Sequence, residues 1–196
     1  MVCDASAFTA EDIERVVKEV EDLDLRVLVN NVGGGDVVAP LTATSAEKVD
    51  QAINVNARFM AQLTRRLMKR FVEQEGRVLV MNIGSLGAPY ACYATAYGGS
   101  KAFVVAFSTC LSAEVKAEGL GGKIEVMAVP VGRVTEAAGD WSPVTLFTPC
   151  EFLLRSFLPD ISMEFVAVSK LADRAQARRP WRKRRWRGWA VGERSL

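Results

Sequence analysis

The chain has 196 residues, enough for one domain with a buried core, and its 49% hydrophobic and 24% charged content is that of an ordinary globular α/β protein. It contains no histidine, which excludes Ser-His-Asp and Cys-His catalysis and argues against a zinc enzyme, leaving acid–base chemistry to Tyr, Lys, Asp or Glu. The net charge of +2 conceals an asymmetry, because Arg174, Arg178, Arg179, Arg182, Lys183, Arg184, Arg185 and Arg187 stand together without an acid and leave the body mildly acidic. Cys3, Cys92, Cys110 and Cys150 are widely spaced with no C-x-x-C, so small buried thiols in a reducing compartment are expected rather than a zinc ribbon or redox motif. No run of eighteen apolar residues and no charged lead before an apolar core is present; neither a membrane span nor a signal peptide is expected.

In chain order, Thr9 to Asp12 reads as a capping box, and Ile13, Val16, Val17, Val20 and Leu23 follow at helical spacing, predicting a helix from about Ala10 to Asp22. Leu25 to Val32 (LRVLVNNV) is a continuous apolar run that ends in a glycine loop, the pattern of a strand buried on both faces of a parallel sheet. Thr44 to Glu47 caps a long helix whose apolar positions Val49, Ile53, Phe59, Met60, Leu63, Leu67 and Phe71 continue to about Gln74. Arg77 to Ile83 is a second buried-strand pattern, Thr95 to Glu118 a third helix, and Lys123 to Val129 a third strand, stopped by Pro130. Connections too long for hairpins between these alternating elements predict right-handed crossovers in a doubly wound parallel sheet, with helices on both faces. Such sheets place their sites outside the carboxyl ends of the strands, here at residues 31–36, 84–85 and 130–135. Beyond Gly139 the pattern weakens: Trp141 to Thr148 is loop-like, Pro149 to Leu158 reads as a short amphipathic helix, and Ile161 to Leu171 is ambiguous.

The chemistry centres on Tyr97 and Lys101, which share a helix face at four-residue spacing. A phenol titrates near pH ~10 and is a poor acid or base at neutrality unless a cation stabilises its phenolate. Lys101 is placed to be that cation, and the pair suggests proton transfer to or from an alcohol or carbonyl oxygen. Alone, the spacing is a weak signal, since most such pairs are accidental surface neighbours on a helix.

Asn30-Asn31-Val32-Gly33, Asn56 within Ile53-Asn-Val-Asn-Ala57, Ser85, Tyr97-x-x-x-Lys101 and Pro130-x-x-x-x-Thr135 occur in one register. Together they resemble the short-chain dehydrogenase/reductase family and its Rossmann-like fold. The runs VLVNNVG, INVN, YGGSKAFVVAFSTCLSAEVKAEG and FTPCEFLLRSFL are similar to its branch of 17β-hydroxysteroid dehydrogenases and very-long-chain 3-oxoacyl-CoA reductases. The resemblance implies Tyr97 as acid/base, Lys101 on the nicotinamide ribose, Ser85 on the reacting oxygen, and Asn56 holding a relay water. It implies cofactor contacts from Asp4, Asn31, Gly33, Tyr97, Lys101, Pro130 and Thr135, no metal, and NADP(H) in preference to NAD(H). The expected activity is reduction of a ketone of a steroid or 3-oxoacyl-CoA, or oxidation of the alcohol. A homodimer through helices 46–74 and 95–118 and a place in the cytoplasm or at the endoplasmic reticulum follow from the same resemblance.

Two departures are small: the loop from Ser85 to Tyr97 is one residue short for the branch, and Val131 stands where many members carry glycine. A larger one is that the family's leading strand and T-G-x-x-x-G-x-G turn do not appear, and Gly33-Gly-Gly35 lacks that spacing. The expectation is therefore a partial Rossmann domain over residues 1–170, truncated at its N-terminus, with an exposed apolar edge on the strand Leu25 to Val32. The alternative is a catalytically inactive remnant or interaction protein with an incomplete cofactor site. Residues 171–196 form an Arg/Trp-rich tail. It reads as disordered, as the product of a shifted reading frame, or, least favoured, as a binder of RNA or anionic membranes.

Overall fold

The computed structural model describes residues 3–34, 38–132 and 164–168. The predicted helix Pro149 to Leu158, Cys150, Thr135 and the basic tail lie outside these residues. The elements are α1 (Ala10–Glu19), β1 (Leu25–Asn30), α2 (Ala46–Ile53), α3 (Phe59–Glu73), β2 (Val78–Ser85), α4 (Thr95–Ala117), β3 (Ile124–Val131) and β4 (Glu164–Val168). The capping box forms as expected: Asp12 N donates to Thr9 Oγ1 at 3.3 Å while Thr9 N donates to Asp12 Oδ2 at 2.9 Å. Helix α1 ends sooner than its apolar spacing suggests. The Arg70 guanidinium from α3 donates to the carbonyls of Val20, at 2.7 Å, and Leu23, so the chain leaves the helix with these acceptors satisfied.

The sheet is parallel, in the order β3-β2-β1-β4. Asn30 lies opposite Asn82, and Ser85 opposite Val131. Strand β3 runs through Pro130 instead of stopping before it. It is an edge strand of the described sheet and Pro130 is exposed, so no ladder bond requires the missing N–H there. The expected bare edge on β1 is also corrected: β4, from the stretch with no clear period, pairs with it in parallel and sets Val27 opposite Phe165 and Asn30 opposite Val168. Leu25, Val27 and Leu28 are fully buried, and unpaired backbone groups in so apolar a strand would be costly to leave there.

The single long helix expected from residue 46 to 74 is interrupted. A π turn over Asn54–Arg58 separates α2 from α3, its wider i to i+5 winding inserting one residue into the helical count. That turn carries Asn56 inward, to 1% exposure. The main core joins α1 (Ile13), α3 (Phe59, Leu63, Leu67, Phe71) and α4 (Val115) to the sheet residues Leu25, Leu28, Val78, Val80, Ile124 and Val126. A second cluster, Val27, Val29, Leu79, Met81 and Ile83, lies on the opposite pleat and draws only on strands among the described residues. Leu63 is fully buried, so Leu63→Ala is expected to lower unfolding free energy by about 2–5 kcal/mol in a urea titration.

The thiols depart from expectation. Cys3 is half-buried, but Cys92 and Cys110 are exposed, the first in the turn before α4 and the second on its outward face.

Candidate active site

The carboxyl ends of β1, β2 and β3 open on one edge, and α4 carries Tyr97 and Lys101 alongside. Lys101 is buried and tied to the central sheet. It is 5% exposed, and its Nζ donates to the carbonyl oxygen of Ile83 on β2 at 2.8 Å. Burial lowers its pKa from the ordinary lysine range. Among the described residues no carboxylate pairs with it, and an ammonium has two further protons to donate.

Beyond β1 the chain passes so close to this lysine that a Cβ on Gly33 would stand 2.9 Å from Lys101 Nζ and 3.3 Å from Asn56 Oδ1. Asn56 holds that loop in place. Its Oδ1 accepts from Gly34 N at 2.9 Å, and its Nδ2 donates to the carbonyls of Gly34 at 2.6 Å and Ala52 at 2.9 Å. Both amide protons are thereby committed, and only the second lone pair of Oδ1 remains. Three of the expected residues, Gly33, Asn56 and Lys101, thus meet at one point.

Tyr97 sits one turn before Lys101 and is half-buried. Its carbonyl accepts from Ser100 Oγ at 2.8 Å, while its hydroxyl makes no hydrogen bond among the described residues. Ser85 ends β2, and its Oγ accepts from Gly87 N at 3.2 Å, which leaves its O–H as a donor toward the open edge. The short loop between Ser85 and Tyr97 is accommodated at Gly98. A Cβ there would meet Ala88 O and Ala91 Cβ, each at 2.8 Å, so the 88–90 turn rests directly on the first turn of α4.

The remaining expected residues are less engaged. Asn31 is half-buried just past β1, and Pro130 is exposed opposite Gly84 on β2. Asp4 is exposed, and its Oδ1 accepts from Ser6 N at 2.8 Å and Ser6 Oγ at 2.7 Å in a local turn.

Sequence reasoning missed two participants. Asn82, fully buried in β2, and Ser108, on α4, are joined by a hydrogen bond of 2.9 Å from Asn82 Nδ2 to Ser108 Oγ. Asn30, read as a tie between strand ends, donates from Nδ2 to Asn82 Oδ1 at 2.7 Å and to Thr64 Oγ1 on α3 at 3.0 Å. The available signal was an asparagine inside the otherwise apolar run VLVMNI.

The desolvated lysine has a measurable consequence. Because its folded pKa lies below the unfolded value near ~10.4, the unfolded chain binds more protons between those two values, and stability there rises with pH. Below the folded pKa both states are protonated and the full penalty is present. Urea titrations of wild type and Lys101→Met should therefore diverge in the alkaline range, with wild type gaining relative stability up to pH ~10.4. Parallel pH profiles would show that Lys101 is not desolvated.

The sequence model of the short chain dehydrogenases matches residues 1–142. The chain is 34% identical over 112 residues to a very-long-chain 3-oxoacyl-CoA reductase of Aspergillus oryzae, an alignment covering 56% of this chain and 32% of that protein. It is 33% identical over 159 residues to 17-beta-hydroxysteroid dehydrogenase type 3 of Danio rerio, covering 78% of this chain and 50% of the relative. The chain thus spans a third to a half of the length of these relatives. Among solved structures, a short-chain dehydrogenase from Sphingobium yanoikuyae in complex with NADPH superimposes with a TM-score of 0.54 at 28% identity, over 63% of this chain and 47% of that one.

Proposed function

The chain belongs to the short-chain dehydrogenase family, and on that premise we propose that it serves nicotinamide-dependent reduction of an apolar ketone, a steroid or 3-oxoacyl thioester, or the reverse oxidation. The observation that carries this reading is the junction of Gly33, Asn56 and Lys101, where a buried ammonium with two unused donors faces a loop that only glycine lets approach. Those donors fit the hydroxyls of a nicotinamide ribose. The cofactor, when bound, supplies or accepts the hydride.

The chain's own residues manage the proton and the position of the carbonyl. Tyr97 donates its phenolic proton to the oxygen as negative charge develops there, and the ammonium of Lys101 one turn away stabilises the phenolate left behind. Ser85 donates to the same oxygen and fixes its direction. Asn56 holds the Gly34 loop beside Lys101, and the second lone pair of its Oδ1 is available to a relay water. Asn31, Pro130, Thr135 and Asp4 are assigned to the cofactor's flank, and NADPH is preferred over NADH. The two relatives' names support the substrate class, and the NADPH complex of the solved neighbour supports the cofactor.

The test is turnover. Purified protein with NADPH and a panel of steroidal and 3-oxoacyl ketones should consume NADPH, and should do so faster than with NADH. NADPH binding without consumption would favour a cofactor-binding interaction protein, and absence of both would favour an inactive remnant.

Helices α2, α3 and α4 are further proposed to pair two copies. Ile53 (44% exposed) and Phe103 (42% exposed) flank a groove of about 470 Å³ that also includes Ala57, Ala61 and Gly99. Size-exclusion chromatography with light scattering should give a dimer for wild type and a monomer for Phe103→Glu. No described helix is long and apolar enough to cross a membrane.

A further inference from the structure

Helix α4 must hold Lys101 at one depth and one register over β2, yet it has little apolar surface with which to do so. Its buried residues are Gly98, Ser100, Lys101, Val104, Ser108 and Val115. Only two of the six are hydrophobic side chains beyond a methyl group. Apolar contact is non-directional, and a helix seated on glycine, serine and two valines, with Leu111 only partly buried against the core, is weakly fixed against sliding along the sheet. Directional contacts are needed to choose one register, and the structure contains two between α4 and β2.

The first is the bond from Lys101 Nζ to Ile83 O at 2.8 Å. The second is the bond from Asn82 Nδ2 to Ser108 Oγ at 2.9 Å. Asn82 and Ile83 are consecutive on β2, and Lys101 and Ser108 are seven residues apart, close to two full turns, so both contacts leave one face of α4. The asparagine cannot rotate freely to release its partner. Its Oδ1 is taken by Asn30 Nδ2 at 2.7 Å, which directs the NH2 group toward Ser108. Ser108 Oγ donates its own hydrogen bond to Val104 O at 2.7 Å, so toward Asn82 it is left as an acceptor. Asn82 is fully buried, and Ser108 is 2% exposed. Hydrogen bonds in such an interior define geometry sharply even where their net contribution to stability is modest.

We propose that Asn82 and Ser108 are positioning residues that pin the register of α4 on β2 and thereby set Lys101 Nζ between Ile83 O and the Gly33 loop. Its consequence for cofactor binding rests on the function proposed above; the pin itself does not. Thr64, which accepts from Asn30 at the other end of the same network, belongs to α3 and makes no hydrogen bond to α4; the Asn30–Asn82 bond at 2.7 Å remains when it is removed.

The experiment compares Ser108→Ala, Ser108→Thr and Thr64→Val with wild type. It reads the Lys101 ionisation by NMR titration of labelled lysine and the NADPH dissociation constant by calorimetry. Ser108→Ala should move Lys101 toward ordinary lysine titration and weaken NADPH binding about tenfold, a loss of about 1.4 kcal/mol. Ser108→Thr, which keeps the hydroxyl, should restore both. Thr64→Val should lower stability while leaving both readouts unchanged. Wild-type Lys101 titration in Ser108→Ala, or an equal displacement in Thr64→Val, overturns the proposal. If Ser108→Ala does not fold, Ser108→Cys takes its place, with the same two results deciding. A wild-type chain that binds no NADPH removes the proposed function, and the lysine titration still decides the pin.

Discussion

Tyr97→Phe is expected to lower ketone turnover by about 10²–10⁴-fold, the usual contribution of a positioned general acid. NADPH affinity should stay within about twofold, because the hydroxyl makes no hydrogen bond among the described residues and its removal leaves no partner stranded. Folding should be unaffected for the same reason. The helix turn that carries Tyr97 is held by backbone packing at Gly98 against Ala88 and Ala91, not by the phenol. Steady-state kinetics with a saturating ketone, paired with calorimetry, separates the two quantities. Loss of turnover together with loss of binding would show that the Tyr97 hydroxyl also holds the cofactor. Unchanged turnover would remove it from the chemistry.

Gly33→Val should have the second-largest effect, and on the opposite quantity. Even the first side-chain carbon at residue 33 would lie 2.9 Å from Lys101 Nζ, and it would press on Asn56 Oδ1 at 3.3 Å. The lysine tip is flexible and would yield first, leaving Ile83 O and exchanging its defined position for several. The Asn56 bonds to Gly34 at 2.6 and 2.9 Å would lengthen with it. Overpacking of this kind costs about 1–3 kcal/mol of stability. Binding should suffer comparably, by about 10–100-fold, since the Lys101 donors proposed for the ribose are displaced and the loop is pushed into their space. Calorimetric titration of NADPH into the folded variant, beside a urea titration, measures both. A variant that loses stability but keeps its NADPH affinity would show that the loop does not flank the cofactor.

What the sequence disclosed depended on how local the cause was. The Thr9 capping box and the apolar runs of β1 and β2 are determined within a few residues, and all three formed where their spacing indicated. Pro130 misled because proline's effect in a strand depends on whether a neighbour needs its N–H, and that is settled by the order of strands. The π turn at Asn54–Arg58 was not visible because the apolar positions on either side still fit a helical period when one residue is inserted between them. Strand β4 was the least legible. Five residues with weak patterning pair with β1 from far along the chain, and what selects them is the need to complete a buried strand.

At the site, the same division holds. The four-residue spacing of Tyr97 and Lys101 placed both on one helix, and the short distance from Gly33 to Lys101 explains why glycine is needed there. The acceptor for Lys101 was hidden because it is the backbone carbonyl of Ile83, a group that every residue possesses. Ser108 was hidden because a serine in a long helix carries no signal until the buried amide it meets is known.

The nicotinamide-ribose seat proposed at Gly33, Asn56 and Lys101 stands or falls on calorimetric titration of NADPH into wild type and Lys101→Met. A micromolar dissociation constant is expected for wild type, weakened at least about tenfold, or 1.4 kcal/mol, in the variant. No binding by wild type, or equal affinity in the two proteins, would contradict it.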